Sequence, residues 1–208
     1  RPTTQKTVFL ASNHHILKVD RVDNRAISEE VVNRFTSSLS NSKVDAFVFS
    51  DYRHGIFNRN TIPSLIQSLP SGPIKVADSQ VASRWGNILD FQGFDLLTPN
   101  EREARFSLGD QDSVVRPLAL ELYKRAKCKT LILKMGERGI LTYQAPGPDV
   151  RSFFAIDSFT NNVVDAMGAG DALLAYSTLV LTATKSNVMA SILGSIAAAV
   201  ACEREGNI

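Results

Sequence analysis

Cysteines and metal-binding motifs are scarce in this sequence. Only two cysteines, Cys128 and Cys202, occur among the 208 residues, and they lie far apart in apolar surroundings. Two distant cysteines do not form the disulfide framework of a small secreted protein. We therefore expect buried free thiols in a reducing compartment and a cytoplasmic protein. CxxC and HExxH spacings are absent, which excludes the common zinc-binding motifs, and the absence of a Walker A sequence disfavours a P-loop nucleotide hydrolase.

Excess charge and long hydrophobic runs are also lacking. The 23 Lys and Arg residues nearly balance the 21 Asp and Glu residues and are scattered along the chain. Because nucleic-acid-binding domains concentrate basic residues in a patch or stripe, we expect no nucleic acid partner. The most apolar tracts, 172–183 and 188–202, contain Ser, Thr or Gly and are shorter than the roughly 20 residues of a membrane span. They predict buried helices, and we expect no membrane segment.

What the sequence does contain is an alternation of strand and helix patterns. Hydrophobic residues make up 44% of the chain and charged residues 21%, as in an ordinary globular domain. The alternation predicts an α/β fold, a doubly wound and mostly parallel sheet with helices on both faces. Predicted strands are 8–11, 16–19, 44–50, 74–77, 94–98, 130–134, 140–143 and 150–155; predicted helices are 33–39, 61–69, 85–91, 100–107, 114–126, 172–183 and 187–203.

Polar loops follow four of the predicted strands. They are the loop 51–55, the single residue Asp78, the segment 100–103 and the loop 136–139. In parallel sheets, ligands bind beyond the carboxyl ends of the strands. The sequence therefore predicts one ligand site at this edge of the sheet.

A glycine-rich segment near the C-terminus predicts a site for an anion. Gly168, Ala169, Gly170 and Asp171 follow apolar residues at 163–164 and precede an apolar helical run. This layout predicts an extended segment, a tight turn and a helix start, where free backbone N–H groups suit a phosphate. A carboxylate beside a phosphate could take a proton from an attacking hydroxyl. The alternative is an ordinary glycine-rich turn with Asp171 in the first turn of the helix.

The same segment resembles the C-terminal signature of the ribokinase-like (PfkB) carbohydrate kinases. The resemblance includes Asp165, whereas Ala166 and Met167 stand where the signature usually has two threonines. It implies that the amides of residues 168–170 stabilise the transferring phosphoryl group. It also implies that Asp171 deprotonates the acceptor hydroxyl, and that ATP and Mg²⁺ are required.

Two further segments resemble nucleotide-binding parts of these kinases. Asn100, Glu101, Arg102 and Glu103 match an Asn-x-x-Glu motif, which implies that Asn100 and Glu103 order Mg²⁺ and that all four lie near the nucleotide phosphates. Asn and Glu at i and i+3 share one helix face and can point at one ion shell. The same spacing also produces an N-terminal capping box.

The loop after the strand at 130–134 is the second of these segments. Lys134 and Gly136 resemble the family's loop near the ATP phosphates and ribose. Glycine there allows close approach of the backbone to a ligand, and Lys134 supplies positive charge.

Segments 1–7, 17–20, 51–55 and 97–100 resemble heptose-phosphate kinases in particular. This implies transfer to the anomeric hydroxyl of heptose 7-phosphate, giving the 1,7-bisphosphate, and a fused nucleotidyltransferase domain. His54 stands where those kinases usually have Lys, and Ser79 and Gln80 stand where they have Pro-Lys. A kinase for another sugar or a nucleoside, or a kinase-like protein that binds without transfer, are the alternatives.

The resemblance covers the C-terminal two-thirds of a typical kinase of this type. We therefore expect residues 1–208 to form a single kinase domain truncated at its N-terminus, and an early end at Ile208 is also left open. The N-terminal part and the lid, through which many relatives form homodimers, are expected to be missing.

Overall fold

The computed structural model describes residues 3–12, 14–23, 25–81, 87–146 and 151–204. The first residues of the helix predicted at 85–91 and the chain ends at 1–2 and 205–208 lie outside this part. Of that predicted helix, the described portion is the 3₁₀ helix Ile88–Phe91.

A six-stranded sheet forms the centre of the molecule. The order of its strands across the sheet is the same as their order in the chain. The first four strands are parallel to one another, and the last two add antiparallel. The predicted mostly parallel α/β sheet is therefore confirmed, with a mixed edge. The strands are β3 Ala46–Asp51, β4 Ile74–Ser79, β5 Leu96–Leu97, β6 Thr130–Lys134, β7 Ile140–Gln144 and β8 Phe153–Ile156.

Six α-helices are described. Three of them begin at a residue whose side chain caps the helix: Ser28, Asn100 and Ser186. At the start of the first helix, the Ser28 hydroxyl accepts a hydrogen bond from the amide of Val31. The helices are α1 Glu29–Ser40, α2 Thr61–Gln67, α3 Glu101–Leu108, α4 Val115–Ala126, α5 Ala169–Thr184 and α6 Asn187–Cys202.

Alternate residues of the central strands bury against opposite helix layers. Leu97 and Leu131 point to the side of α2 and α4, whereas the neighbouring Leu96 and Ile132 point to the side of α5 and α6. This is the period-two geometry of a strand with both faces covered, and it explains why these strands are apolar throughout. All four side chains are fully buried.

The two helix layers come from different parts of the chain. Because the parallel strands are added in one direction, the connections between them pack on one face. The second face is covered by α5 and α6, which follow the last strand. The predicted helices on both faces are thus confirmed.

The segment before α5 differs from the prediction. Val163 and Val164 are about half exposed and belong to no strand; β8 ends well before them, at Ile156. Instead, the amides of Val164 and Asp165 donate to the backbone carbonyl of Cys202 at the end of α6. The glycine-rich turn is therefore anchored to α6 and does not continue a strand.

A separate two-stranded sheet precedes the main sheet. It consists of β1 Gln5–Ala11 and β2 His14–Arg21, which pair antiparallel. Lys6, Val8 and Lys18 of this sheet line the same cleft as the ends of the central strands. The chain therefore carries a small sheet that borders the cleft, and the absence of the family's N-terminal part and lid stays a prediction.

Candidate active site

A cleft of about 860 Å³ lies at the carboxyl edge of the parallel strands. All five predicted loops contribute to it, through Tyr52, Asp78, the segment Asn100–Glu103, the loop at Gly136 and the glycine-rich turn. The predicted convergence on one edge is therefore confirmed. Glu101 is the exception among the predicted site residues, because it does not line the cleft.

The glycine-rich turn starts α5 in the way that an anion site requires. Gly168 has a left-handed conformation, with φ of 82° and ψ of −12°, and is the residue that caps the helix. A side chain at this position would be strained, which explains the glycine. Gly170 and Asp171 follow in the first turn, where N–H groups lack intrahelical acceptors and the helix dipole is positive.

A residue from the loop that follows β3 forms a hydrogen bond with the carboxylate of Asp171. The Tyr52 hydroxyl donates a hydrogen bond of 2.6 Å to Asp171 Oδ1. Burial and this bond raise the pKa of Tyr52, so the hydroxyl stays protonated and remains a donor. The sequence placed Tyr52 near the cleft, but the contact across 119 positions of sequence depends on the tertiary fold.

Lys134 lies beside the glycine-rich turn. Its Nζ is 3.2 Å from the place that a Cβ on Gly170 would occupy, so glycine leaves room for the ammonium group. The same nitrogen donates a 3.0 Å hydrogen bond to Asp78 Oδ2. Burial raises the pKa of Asp78, and Lys134 opposes that rise. The positive charge is thus fixed next to the helix start.

Asn100 and Glu103 form a capping box at the start of α3. The Asn100 side chain accepts from the amide of Glu103, and Glu103 Oε2 accepts from the amide of Asn100, both at 2.8 Å. The capping alternative is therefore confirmed. Glu103 is 5% exposed, and burial followed by the negative charge of Asp78 raises its pKa to about 7.

Glu101 and Arg102 point in different directions from this box. Glu101 pairs with Arg105 at 2.7 Å and also with Arg138, and these contacts lower its pKa, chiefly through the bond from Arg105. Arg102 is exposed and lines the cleft. Among the four residues 100–103, Glu101 therefore forms ion pairs outside the cleft.

Two buried carboxylates, Asp78 and Glu103, line the cleft and could serve as ligands of a divalent cation. Within the described residues, no group of three or more His, Cys, Asp or Glu side chains could hold a metal by itself. Asp78 Oδ1 is buried without a hydrogen-bond partner in the described part of the chain, and Asp78 and Glu103 repel each other. Lys134 pairs with Asp78 through Oδ2, so Asp78 Oδ1 and the Glu103 carboxylate are oxygen donors that fit Mg²⁺ together with ligands from water or phosphate.

A buried ion pair fixes the loop that carries Tyr52. Arg53 has a left-handed φ of 60° and is 5% exposed. Its Nη2 lies 2.9 Å from Asp51 Oδ2 and donates to Ser79 Oγ at 2.5 Å. Ser79, which departs from the pattern of the heptose-phosphate kinases, therefore serves as a partner of Arg53 in this chain.

Sequence analysis missed the wall formed by the C-terminal helix. Ser195, Ala199 and Cys202 of α6 line the cleft together with Phe159 and Val163. Both cysteines are free, as predicted, but Cys202 is only partly buried. The helical period of 3.6 residues predicts that Ser195, Ala199 and Cys202 share one face of α6. It does not predict that this face lies beside the glycine-rich turn.

The model of the pfkB family of carbohydrate kinases matches residues 66–208. The chain belongs to this family. It is therefore a carbohydrate kinase domain with the ribokinase-like fold.

Curated proteins and solved structures agree with this assignment. Bifunctional protein HldE of Sulfurimonas denitrificans is 27% identical over 213 residues, covering 100% of this chain and 43% of the relative. Bifunctional protein HldE of Wolinella succinogenes is 29% identical over 180 residues, covering 84% of this chain and 36% of the relative. The carbohydrate kinase chain thus spans less than half the length of these relatives.

Two solved structures share the fold of this kinase domain. Ribokinase from Thermotoga maritima has a TM-score of 0.76 at 22% identity, covering 99% of this chain and 65% of that one. Phosphofructokinase-2 from Escherichia coli with fructose-6-phosphate has a TM-score of 0.70 at 17% identity, with coverage of 89% and 61%. Among the described residues, no helix combines the length and hydrophobicity needed to cross a bilayer.

Proposed function

We propose that this kinase transfers the γ-phosphoryl group of ATP to a hydroxyl group of a sugar or sugar phosphate. The observation that carries the proposal is the position of Asp171. Its carboxylate stands in the first turn of α5, directly after Gly168–Gly170 and within the cleft that Lys134 also lines. A base, a cation and main-chain donors around one cavity are the parts that phosphoryl transfer needs.

In this proposal, Asp171 accepts the proton of the acceptor hydroxyl. The hydroxyl oxygen forms a bond to the γ-phosphorus of ATP. The bond from that phosphorus to the oxygen bridging the β-phosphate breaks, and ADP leaves with the electron pair. The amides of the turn at Gly168, Ala169 and Gly170 and the Lys134 ammonium group stabilise the negative charge on the transferring group.

Asn100 and Glu103 are the residues that we propose to organise Mg²⁺, with Asp78 beside them. The buried, unpartnered Asp78 Oδ1 and the raised pKa of Glu103 support this assignment, because a bound cation would relieve both. When bound, the ion offsets the charge of the phosphates. Arg102 and the loop at Gly136 would contact the nucleotide, since both line the cleft.

The nucleoside end of ATP is assigned to the apolar wall of the cleft. Phe159, Val163, Ala199 and Cys202 provide apolar surface there. Ser195 Oγ is buried without a hydrogen-bond partner among the described residues and could bond a polar atom of a ligand. Ligand sites commonly combine apolar walls with a few such polar groups.

Heptose 7-phosphate is the acceptor that we propose. The motifs quoted above and the similarity to bifunctional HldE proteins support it. Lys6 and Lys18, which line the cleft from the two-stranded sheet, would suit a phosphorylated acceptor. A homodimer, a fused nucleotidyltransferase domain and a cytoplasmic location also stay predictions.

The test uses the intact protein. It is incubated with ATP, Mg²⁺ and a panel containing heptose 7-phosphate, hexose phosphates, free sugars and nucleosides, and ADP formation is measured. We expect ADP release that depends on the acceptor and is greatest with heptose 7-phosphate. Stronger turnover with another sugar or a nucleoside would correct the acceptor. Nucleotide binding without acceptor-dependent turnover would instead favour a binding protein.

A further inference from the structure

The hydrogen bond between Tyr52 and Asp171 is a contact within the cleft to which no function has yet been given. It is short, at 2.6 Å, and it joins a neutral donor to a carboxylate. Hydrogen bonds of this charge-assisted kind are stronger than neutral ones. The bond uses Oδ1 only, so the second carboxylate oxygen is left for another partner.

We propose that Tyr52 is a positioning residue that holds Asp171 by Oδ1 and thereby presents Oδ2 to the acceptor hydroxyl. The inference rests on the proposed kinase reaction, in which Asp171 accepts the proton. The helix backbone restricts the rotamers of a side chain in its first turn but leaves more than one allowed, so an outside contact can select the orientation of the carboxylate. Tyr52 provides that contact from a different element.

The loop after β3 is rigid enough for this task. Asp51 and Arg53, on either side of Tyr52, are both buried and form an ion pair of 2.9 Å. Asp51 also accepts from the amide of Arg53 at 2.8 Å, and Arg53 donates to Ser79 on β4. The backbone on either side of Tyr52 is therefore fixed to the sheet. A buried and hydrogen-bonded support of this kind is what keeps a site side chain in place.

A third element, β1, contacts the Tyr52 ring. Lys6 Nζ of β1 lies 5.4 Å from the centre of the Tyr52 ring, within the range of a cation–π interaction. Tyr52 thus links the central sheet, the start of α5 and the two-stranded sheet. Titratable groups around this pair include Asp78 on β4, Lys134 on β6 and Glu103 on α3, which line the cleft, and His54, whose ring centroid lies 6.2 Å from that of Tyr52.

The test compares Tyr52→Phe with the unchanged protein in the acceptor-dependent ADP assay. Loss of a hydrogen bond to a charged group should lower kcat by about 10- to 100-fold and leave KM for ATP within about twofold. An effect confined to kcat, with KM for ATP and the free energy of unfolding unchanged, separates a positioning role from a merely structural one.

Two additional variants make the result specific. Tyr176→Phe is the matched control, because Tyr176 lies on α5, the helix of Asp171, but is 54% exposed and does not line the cleft. This substitution should leave kcat and KM for ATP unchanged. In the Asp171→Asn background, Tyr52→Phe should lower the residual kcat by less than about twofold, because the two residues act through one carboxylate.

The outcomes separate this inference from the proposed function. An unchanged kcat in Tyr52→Phe, with ATP still bound, would overturn the positioning role while the kinase function stands. Absence of acceptor-dependent ADP formation in the unchanged protein would overturn both. Should Tyr52→Phe fail to fold, Ser79→Ala loosens the same loop from Arg53; it should lower kcat with KM for ATP unchanged, and an unchanged kcat would count against the role.

Discussion

Lys134 Nζ donates a hydrogen bond of 3.0 Å to Asp78 Oδ2, and the pair joins β6 to β4 at the floor of the cleft. Both side chains are largely buried, at 16% and 9% exposure. The ammonium group also lies beside Gly170, where a Cβ would be 3.2 Å away. One cation therefore serves two purposes, because it offsets a buried carboxylate and brings positive charge to the start of α5.

Replacing Lys134 with Met should affect both stability and turnover. The buried Asp78 carboxylate would lose its counter-charge, so we expect the free energy of unfolding to fall by about 3 kcal/mol. Loss of charge beside the transferring phosphoryl group should lower kcat by on the order of 10²-fold. Denaturant unfolding and the ADP assay measure the two effects.

Lys129→Met is the matched control for this prediction. Lys129 also pairs with an aspartate, Asp95, but it is 77% exposed, so its loss should cost less than about 1 kcal/mol. Equal effects of the two substitutions would argue against a special role of Lys134.

Asp171→Asn should remove most of the activity and leave the fold intact. Asparagine still accepts the hydrogen bond from Tyr52, but it cannot take a proton, so kcat should fall by about 10²- to 10⁴-fold. Steady-state kinetics with saturating ATP and acceptor measure this. Asp157→Asn is the control, since Asp157 is exposed and does not line the cleft. Near-normal turnover in Asp171→Asn would contradict its assignment as the base.

The stability of the protein should respond to pH through Glu103. Its pKa is raised from 4.5 to about 7, so the folded state binds this proton more tightly than the unfolded state does. The resulting stabilisation is fully present below about pH 4.5 and is lost as pH rises through about 7. A glutamine at position 103 does not titrate. The free energy of unfolding of Glu103→Gln, measured relative to that of the unchanged protein, should therefore rise by roughly 2–3 kcal/mol between about pH 5 and pH 8.

Glu101, on the same helix as Glu103, provides a control because its pKa is shifted in the opposite direction. Arg105, by its hydrogen bond, and Arg138 lower the pKa of Glu101, so its stabilising contribution is lost as pH falls. Glu101→Gln should therefore change the free energy of unfolding least at low pH. Denaturant unfolding at several pH values tests both variants. A pH-independent difference for Glu103→Gln would refute the assigned environment.

Gly194→Ala should loosen the packing of α6 against α5. A Cβ at Gly194 would lie 2.0 Å from Ser177 Oγ and 3.2 Å from the carbonyl oxygen of Leu173. Ser177 is fully buried and donates to the carbonyl of Ala190, so it cannot move without losing that bond. We expect a loss of about 1–3 kcal/mol in the free energy of unfolding, measured in denaturant.

The double variant Gly194→Ala with Ser177→Ala tests the cause of this loss. Removing the Ser177 hydroxyl takes away the closest clashing atom, so part of the stability should return relative to Gly194→Ala alone. If the second substitution only adds to the damage, steric overlap with Ser177 is not the reason.

Local pattern was enough to predict most elements of the fold. The apolar run before Asp51 became β3, and the spacing of Leu118, Leu122 and Ala126 became the buried face of α4. Asn100 and Glu103 formed the capping box that their spacing allowed. These features depend on residues close in sequence, which is why the sequence reveals them. The extended segment expected at Val163 and Val164 was wrong, because a tertiary bond to Cys202 holds that stretch.

The sequence by itself determined an α/β domain with acidic and glycine-rich loops at one sheet edge, because hydrophobic periodicity and turn formation depend on residues that are close in sequence. Only the tertiary structure decided which of those loops touch. It brought the Tyr52 hydroxyl to Asp171, set Lys134 beside Gly170, and added the wall of α6 and the lysines of the two-stranded sheet. These relations join residues far apart in the chain, and their distances follow from how the sheet and helices pack.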